Sequence, residues 1–307
     1  MNQATFSFPS VDGTEIHVYK WTPDTEVKGI VQIAHGMAEH AGRYSHFAEA
    51  LTGEGYAVYA NDHRGHGRTA GQQENLLYFA DENGWELVLE DMHQLSQLIK
   101  REHPGLPLFL LGHSMGSFLA RSYIQQYGGE LSGVLLSGTG GTPGILGYIG
   151  TALARMEIRN KGRKGKSALL TNLTFGNYNK AFQPARTEYD WLSRDSNEVD
   201  KYIHDPYCGG MATAGFYADM LTGIQHLDKP ERLGKIPEDL PIFLFSGDKD
   251  PVGNNSRGVL QTYRNFRKAG VKDVSCKLYP GGRHEMLNEI NKAEVYRDVI
   301  DWLNKHI

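Results

Sequence analysis

The sequence predicts an α/β fold: a parallel sheet covered by helices on both faces, with a long insertion between two of its strands. Short apolar runs rich in β-branched residues alternate with helix-periodic stretches. Several of those runs are continuous rather than alternating, as strands buried on both faces are. The rhythm then breaks across residues 138–226 and resumes at Pro241-Ile242-Phe243-Leu244-Phe245-Ser246.

The elements follow in order. Residues 5–8 and 15–21 alternate in polarity around the turn pair Asp12-Gly13, the signature of a hairpin. Residues 28–34 contain Ile30-Val31-Gln32-Ile33 and form the next strand, followed by a helix over 45–53 and a short buried strand over 56–60. Leu87, Asp91, Leu95, Leu98 and Ile99 give residues 85–100 a helical period. Leu108-Phe109-Leu110-Leu111 is a strand ending at Gly112, with a helix over 118–126 and a strand over 133–137 behind it. After the break come strands over 241–246 and 274–279. A final helix over 293–305 has Val295, Val299, Ile300, Trp302 and Leu303 on one side. The interval 138–226 is too long for a loop, so it reads as an inserted subdomain, with 1–137 and 227–307 forming the core. Its place between two strands sets it over their carboxyl ends, where such sheets bind ligands.

Composition excludes several classes. Of 307 residues 40% are hydrophobic and 22% charged, too apolar and too evenly charged for a disordered chain. Thirty-two Lys and Arg against 36 Asp and Glu leave a net charge of −4, without the basic footprint of a nucleic-acid binder. No run approaches the roughly 18 apolar residues of a membrane span. The first residues, Met1-Asn2-Gln3-Ala4-Thr5-Phe6, have neither the basic nor the apolar segment of a secretory signal. Cys208 and Cys276 are too few for a disulfide framework or a zinc cage. A cytoplasmic protein that needs no cofactor or metal is the expectation.

The strongest chemical signal is Gly112-His113-Ser114-Met115-Gly116, a G-x-S-x-G between a strand and a helix. That setting is the nucleophile elbow, whose tight turn needs glycines at its flanks and lifts Ser114 above the sheet. A serine hydroxyl is a weak nucleophile and needs a base, itself oriented by an acid; in this architecture the order is Ser, acid, His. Strand 241–246 runs into Gly247-Asp248-Lys249-Asp250, where Asp250 is the preferred acid and Asp248, read as a turn residue capping local N–H groups, is held in reserve. Strand 274–279 runs into Pro280-Gly281-Gly282-Arg283-His284, which makes His284 the base. His93 lies within a helix, and His103, His204, His226 and His306 are read as surface residues. Acyl transfer passes through an oxyanion, and the N–H of Met115 and of Met37, in the loop Ala34-His35-Gly36-Met37, are the candidate donors. His35 is expected to brace that loop.

Three other patterns carry less. His63 and His66 with His35 and His40 suggest a metal site, but no Glu or Cys completes a zinc spacing. Gly165-Lys166-Ser167 ends like a phosphate loop, yet Asn160 stands where its first glycine belongs. Arg155, Arg159, Lys161, Arg163, Lys164 and Lys166 form a basic cluster, a solvated face by default and otherwise a surface for anionic headgroups.

With these residues in place, the chain resembles an α/β-hydrolase of the monoacylglycerol lipase/lysophospholipase branch. His35-Gly36-Met37-Ala38-Glu39-His40 with Arg43-Tyr44 resembles that branch's H-G-x-x-E-H-x-x-R-Y segment. Asn61-Asp62-His63-Arg64-Gly65-His66-Gly67 resembles its D-H-R-G-H-G turn, with Arg68-Thr69 where the branch usually has Ser. The run from Asp190-Trp191 to Asp205-Pro206 is similar to its cap sequence. The resemblance implies a mostly parallel eight-stranded sheet with a helical cap, the triad Ser114, Asp250 and His284, and Met37 and Met115 as oxyanion donors. The branch places its acid three residues after the glycine here numbered 247, which supports Asp250. A single-chain lipid ester is the implied substrate. His35, Gly36, Ile145, Leu146 and Tyr148 are its candidate contacts, and the cap is the place for transient contact with a membrane surface. A peptidase of the same fold, removing N-terminal residues, would need cap carboxylates for the substrate ammonium; Glu188, Asp190, Asp195, Glu198 and Asp200 are the candidates. A short-chain carboxylesterase would keep the mechanism without the lipid.

Overall fold

A computed structural model describes residues 1–307. Eight strands, β1 (Asn2–Pro9), β2 (Glu15–Thr22), β3 (Gly29–Ala34), β4 (Tyr56–Asn61), β5 (Leu108–His113), β6 (Gly133–Ser137), β7 (Ile242–Gly247) and β8 (Val274–Tyr279), form one sheet in the order β1-β2-β4-β3-β5-β6-β7-β8. β1 and β2 make the expected hairpin, with Phe8 opposite Ile16, and β2 runs antiparallel to β4. Every other pairing is parallel. β3 to β7 are buried along their whole length, which explains why their sequences are continuously apolar.

Alternation sorts their side chains onto two faces. Leu110, Val134, Leu136 and Leu244 pack with Trp85, Val88 and Met92 of α2 (Gly84–Glu102) and Leu119 and Tyr123 of α3 (Met115–Tyr127). Phe109, Leu111, Leu135 and Phe245 face the other way. They meet Phe47 and Leu51 of α1 (Ser45–Gly53) and Val295, Val299 and Leu303 at the C-terminal helix, Lys292–Lys305.

Between β6 and β7 the chain is helical: α4 (Gly144–Lys161), α5 (Ala168–Phe175), α6 (Ser196–His204), α7 (Ala214–Gln225) and α8 (Pro230–Leu233). Its buried residues Ala154, Leu170, Phe216 and Tyr217 join the same apolar cluster as Trp85 and Leu119, so this segment rests on the α2–α3 face. After β7 comes a helix that the sequence reading did not contain, α9 (Arg257–Lys268), leaving Lys292–Lys305 as α10. Gly258, Val259, Thr262 and Phe266 of α9 are buried and Tyr263 packs against the same core; Val259, Tyr263 and Phe266 recur at helical spacing between charged residues. His103, His226 and His306 are half-buried rather than on the surface, His103 and His306 through contacts with Tyr59 and Trp302. No helix is long and apolar enough to cross a membrane.

Candidate active site

β5 delivers the chain to Ser114 at its carboxyl end, and α3 leaves from the next residue. Ser114 has φ 51° and ψ −118°, a conformation that costs an L-residue of order 1–3 kcal/mol. The flanking glycines are required by contact. A Cβ on Gly112 would lie 2.3 Å from the Gly116 carbonyl oxygen, and one on Gly116 would lie 2.0 Å from that of Ala34. The G-x-S-x-G spacing is thus the sequence trace of β3, β5 and α3 crowding around one turn.

His284 and Asp250 stand on the loops after β8 and β7. Asp250 is fully buried and His284 2% exposed. The imidazole Nδ1 lies 3.0 and 2.9 Å from the two carboxylate oxygens of Asp250. Asp250 is held in turn by the Val252 N–H at 2.9 Å and the Ser246 hydroxyl at 3.2 Å. Burial works against the imidazolium of His284. The charge and hydrogen bond of Asp250 outweigh it, with smaller help from Glu285 and Glu39, and leave the group above its ordinary value. Asp248 does something else: its carboxylate accepts the Gly281 N–H at 2.8 Å, joining the β7 and β8 loops rather than capping its own turn.

The loop after β3 completes the arrangement. His35 is wholly buried; its Nε2 accepts the His63 N–H at 2.9 Å, so Nδ1 carries the proton donated to the Gly36 carbonyl at 2.8 Å. It ties the loop to the His63 backbone and, unlike Gly36, does not border the cavity that Ser114 borders. Gly36 gives its N–H to Glu39. The N–H groups of Met37 and Met115 meet no protein acceptor.

Ser114, His284, Gly36, Met37 and Met115 all border one cavity of about 430 Å³, most of whose lining is hydrophobic. Phe118 lines it from α3, while Met220, Leu221 and Ile224 of α7 line it from the inserted segment together with Leu173, Phe175 and Tyr178. Of the three α4 residues proposed from sequence, Leu146 borders this cavity. Ile145 and Tyr148 do not; they are 79% and 54% exposed, on the outer side of the helix. Trp191, which the sequence reading gave no role, lies with its ring centroid 5.1 Å from that of His284 and its carbonyl accepting the His284 N–H. A tryptophan amid the charged run 186–200 was the only local sign of it. Beyond Phe175, Trp191 and Tyr202 lies a second, more polar cavity of about 670 Å³.

The histidines set aside as metal candidates are packed together: the rings of His35 and His63 are 4.2 Å apart and those of His35 and His66 5.1 Å. Burial pushes His63 and His66 down to about 3, so these imidazoles are neutral. A different trio, His40, Asp205 and Cys208, has its ligand atoms within 4.8 Å of one another. His40 Nε2 already bonds Asp205 at 2.9 Å, and burial raises the Cys208 thiol well above its ordinary value; the trio reads as a fastening between the β3 loop and the inserted segment. The basic cluster divides: Arg163 pairs with Asp219 at 2.7 Å and Lys161 with Glu157 at 2.7 Å, while Arg155, Arg159 and Lys164 stay exposed.

Residues 25–291 match the sequence profile of a family described as serine aminopeptidase, S33. The chain belongs to that family. The monoacylglycerol lipase of Mycolicibacterium smegmatis is 34% identical over 306 residues, covering 98% of this chain and 97% of the relative. The human monoglyceride lipase is 28% identical over 96% of this chain and 89% of its own. A crystal structure of a thermostable carboxyl esterase from Bacillus coagulans, in complex with glycerol, superposes with a TM-score of 0.92 at 30% identity, covering 100% and 99% of the two chains. The fold is that of the α/β-hydrolases, and the protein is a carboxylic ester hydrolase.

Proposed function

We propose that the enzyme hydrolyses monoacylglycerols or similar single-chain lipid esters through Ser114, His284 and Asp250. The observation that carries this reading is a strained serine and an Asp250-held imidazole bordering the same largely apolar cavity. His284 takes the Ser114 proton as the hydroxyl attacks the ester carbonyl; the raised basicity supplied by Asp250 favours that transfer. The carbonyl oxygen becomes an oxyanion, for which the unbonded N–H groups of Met37 and Met115 are the donors. The imidazolium then gives its proton to the departing alcohol. A water, deprotonated by the same imidazole, cleaves the acyl-enzyme.

In this reading 138–226 is a cap over the core formed by 1–137 and 227–307. Leu146, Leu173 and Phe175 are its acyl-chain contacts. Exposed Ile145, Tyr148 and Ile149 beside Arg155 and Arg159 suit transient contact with an anionic lipid surface. The relatives named as monoacylglycerol and monoglyceride lipases support the same substrate class. A peptidase role has less to stand on. Asp190, Asp195, Glu198 and Asp200 do not border the cavity, and Glu188 borders the second one. Glu198 is spent on Lys201 and Lys292, and Asp200 on Arg186.

The test is hydrolysis of p-nitrophenyl esters from acetate to palmitate, with a monoacylglycerol alongside, by wild type and Ser114→Ala. A medium- or long-chain optimum that Ser114→Ala abolishes supports the proposal. Activity confined to acetate removes the lipid substrate, and activity in Ser114→Ala removes the mechanism.

A further inference from the structure

The loop that presents the Met37 N–H is gripped on both sides. On one side the Gly36 N–H donates to Glu39 Oε1 at 2.5 Å, and the Tyr44 hydroxyl donates to the same oxygen at 2.9 Å. There is no slack: a Cβ on Gly36 would lie 2.7 Å from that oxygen and 3.2 Å from the Ser114 Cβ. On the other side Ala38 has φ 58°, unusual for a residue with a Cβ. Its carbonyl accepts the Tyr202 hydroxyl at 2.9 Å and the Gly209 N–H at 2.8 Å, both from the inserted segment. Met37 lies between these two holds.

The remaining Glu39 oxygen accepts Arg43 Nη1 at 2.6 Å. Arg43 also forks onto Glu285 with two bonds of 2.8 Å, and its guanidinium lies 5.0 Å from the centre of the Tyr202 ring. Glu285 follows His284 directly, and its N–H donates to the Leu192 carbonyl at 2.7 Å. Glu39 and Glu285 are both buried. Burial raises the Glu39 carboxyl, and Arg43 with the Gly36 N–H brings it below its ordinary value, so the acceptor is an anion. A buried carboxylate–guanidinium–carboxylate triad is often no better for stability than apolar side chains of equal volume. What it supplies is direction, since charge-assisted bonds fix the groups they join.

We propose that Glu39 is a positioning residue for the oxyanion donor: by taking up the Gly36 N–H it turns the next peptide, leaving the Met37 N–H free at the cavity beside Ser114. Arg43 carries the same restraint to Glu285, so the donor loop and the His284 loop are set as one unit. The inference rests on the acyl-transfer reading above.

The experiment compares Glu39→Ala, Glu39→Gln and Tyr202→Phe with wild type, using the p-nitrophenyl ester that wild type cleaves best. An alkylboronic acid, which becomes tetrahedral on a serine and places an oxygen where the oxyanion forms, is the second probe. Losing a donor outright costs about 10²–10³ in rate, so Glu39→Ala should lower kcat about 100-fold with KM within about two-fold, and weaken the boronic acid in step. Glu39→Gln keeps an acceptor and should recover part of the loss; Tyr202→Phe should show a smaller loss in both readouts. A boronic acid affinity unchanged in Glu39→Ala, or a loss expressed in KM alone, overturns the inference. Should Glu39→Ala not fold, unchanged boronic acid affinity in both other variants does so. Wild type inactive on every ester would instead overturn the serine mechanism, leaving these variants without a baseline.

Discussion

The floor and the roof of the cavity are built differently. On the floor, Ser114, His284 and Asp250 sit at strand ends, and Asp250 and His284 are buried with their hydrogen-bonding groups directed by neighbours. On the roof, Leu146 and Leu173 border the same cavity while 76% and 57% exposed, and α4 leaves Ile145 and Ile149 in solvent as well. The floor is fixed by the sheet, whose parallel strands cannot shift register without turning every side chain over. The roof is held by a few ties, among them Tyr202 and Gly209 to Ala38, His40 to Asp205, and Arg163 to Asp219. In the proposed mechanism the reaction steps fall to the rigid part, and substrate choice to the part with fewer constraints.

The sharpest way to break this contrast is on the floor. Asp250→Asn should lower kcat by about 10⁴, because the amide no longer fixes the imidazole tautomer or stabilises its charge. Asp248→Asn, which changes only an acceptor of the Gly281 N–H, should stay within about ten-fold of wild type. Kinetics on a short soluble ester would distinguish the two aspartates, and equal losses would undo the assignment.

Acid should act on the floor before the roof. Burial, above all, holds His35, His63, His66 and His113 below their ordinary value, His113 at about 4. Groups depressed in the fold bind protons more readily when unfolded. Stability is therefore fully present above pH 6.5 and falls as pH drops towards the folded values, by about 1.4 kcal/mol per pH unit for each imidazole. His284 has the opposite sign: its contribution is complete below 6.5 and is lost as pH rises through its raised value. Denaturant midpoints at pH 7.5, 6.5 and 5.5 should show the loss concentrated between the lower two. Activity should have an acid limb above 6.5, because His284 must be neutral to accept the serine proton; a limb at 6 would contradict its raised basicity.

The roof offers smaller effects. Leu146→Ala and Leu173→Ala should shift the preferred acyl length with kcat on the best ester changed only a few-fold, since a buried methylene is worth about 0.8 kcal/mol. Chain-length profiles of both variants test this. Smallest of all on a soluble ester is the double change Ile145→Ser and Tyr148→Ser, expected within about two-fold of wild type. The same variant should sediment less with vesicles containing anionic lipid, and equal sedimentation would remove the lipid-surface role of α4.

Much of the molecule could be read from adjacent residues. Gly112 and Gly116 had to be glycine because backbone from β3 and α3 passes within contact of their α-carbons, a constraint written at the turn itself. The continuous apolar runs of β3 to β7, the hairpin at Asp12-Gly13, and the histidine and aspartate just past strand ends are equally local. The helix Arg257–Lys268 was legible in the same way, since Val259, Tyr263 and Phe266 recur at helical spacing between charged residues.

What the chain's path alone decided lies far apart in sequence. Gly281 engages Asp248 from 33 residues away, leaving Asp250 to His284; Glu285 reaches Arg43 across 242 residues. Trp191 comes to rest beside His284, and within a single turn of α4 Leu146 borders the cavity while Ile145 and Tyr148 do not. Sequence specifies backbone conformation through neighbours a few positions away, so the turns and strand ends of the site were determined there. Partnerships between distant side chains depend on where folding carries them. For that reason, the partners of Asp248, Arg43 and Trp191 emerged only from the tertiary structure.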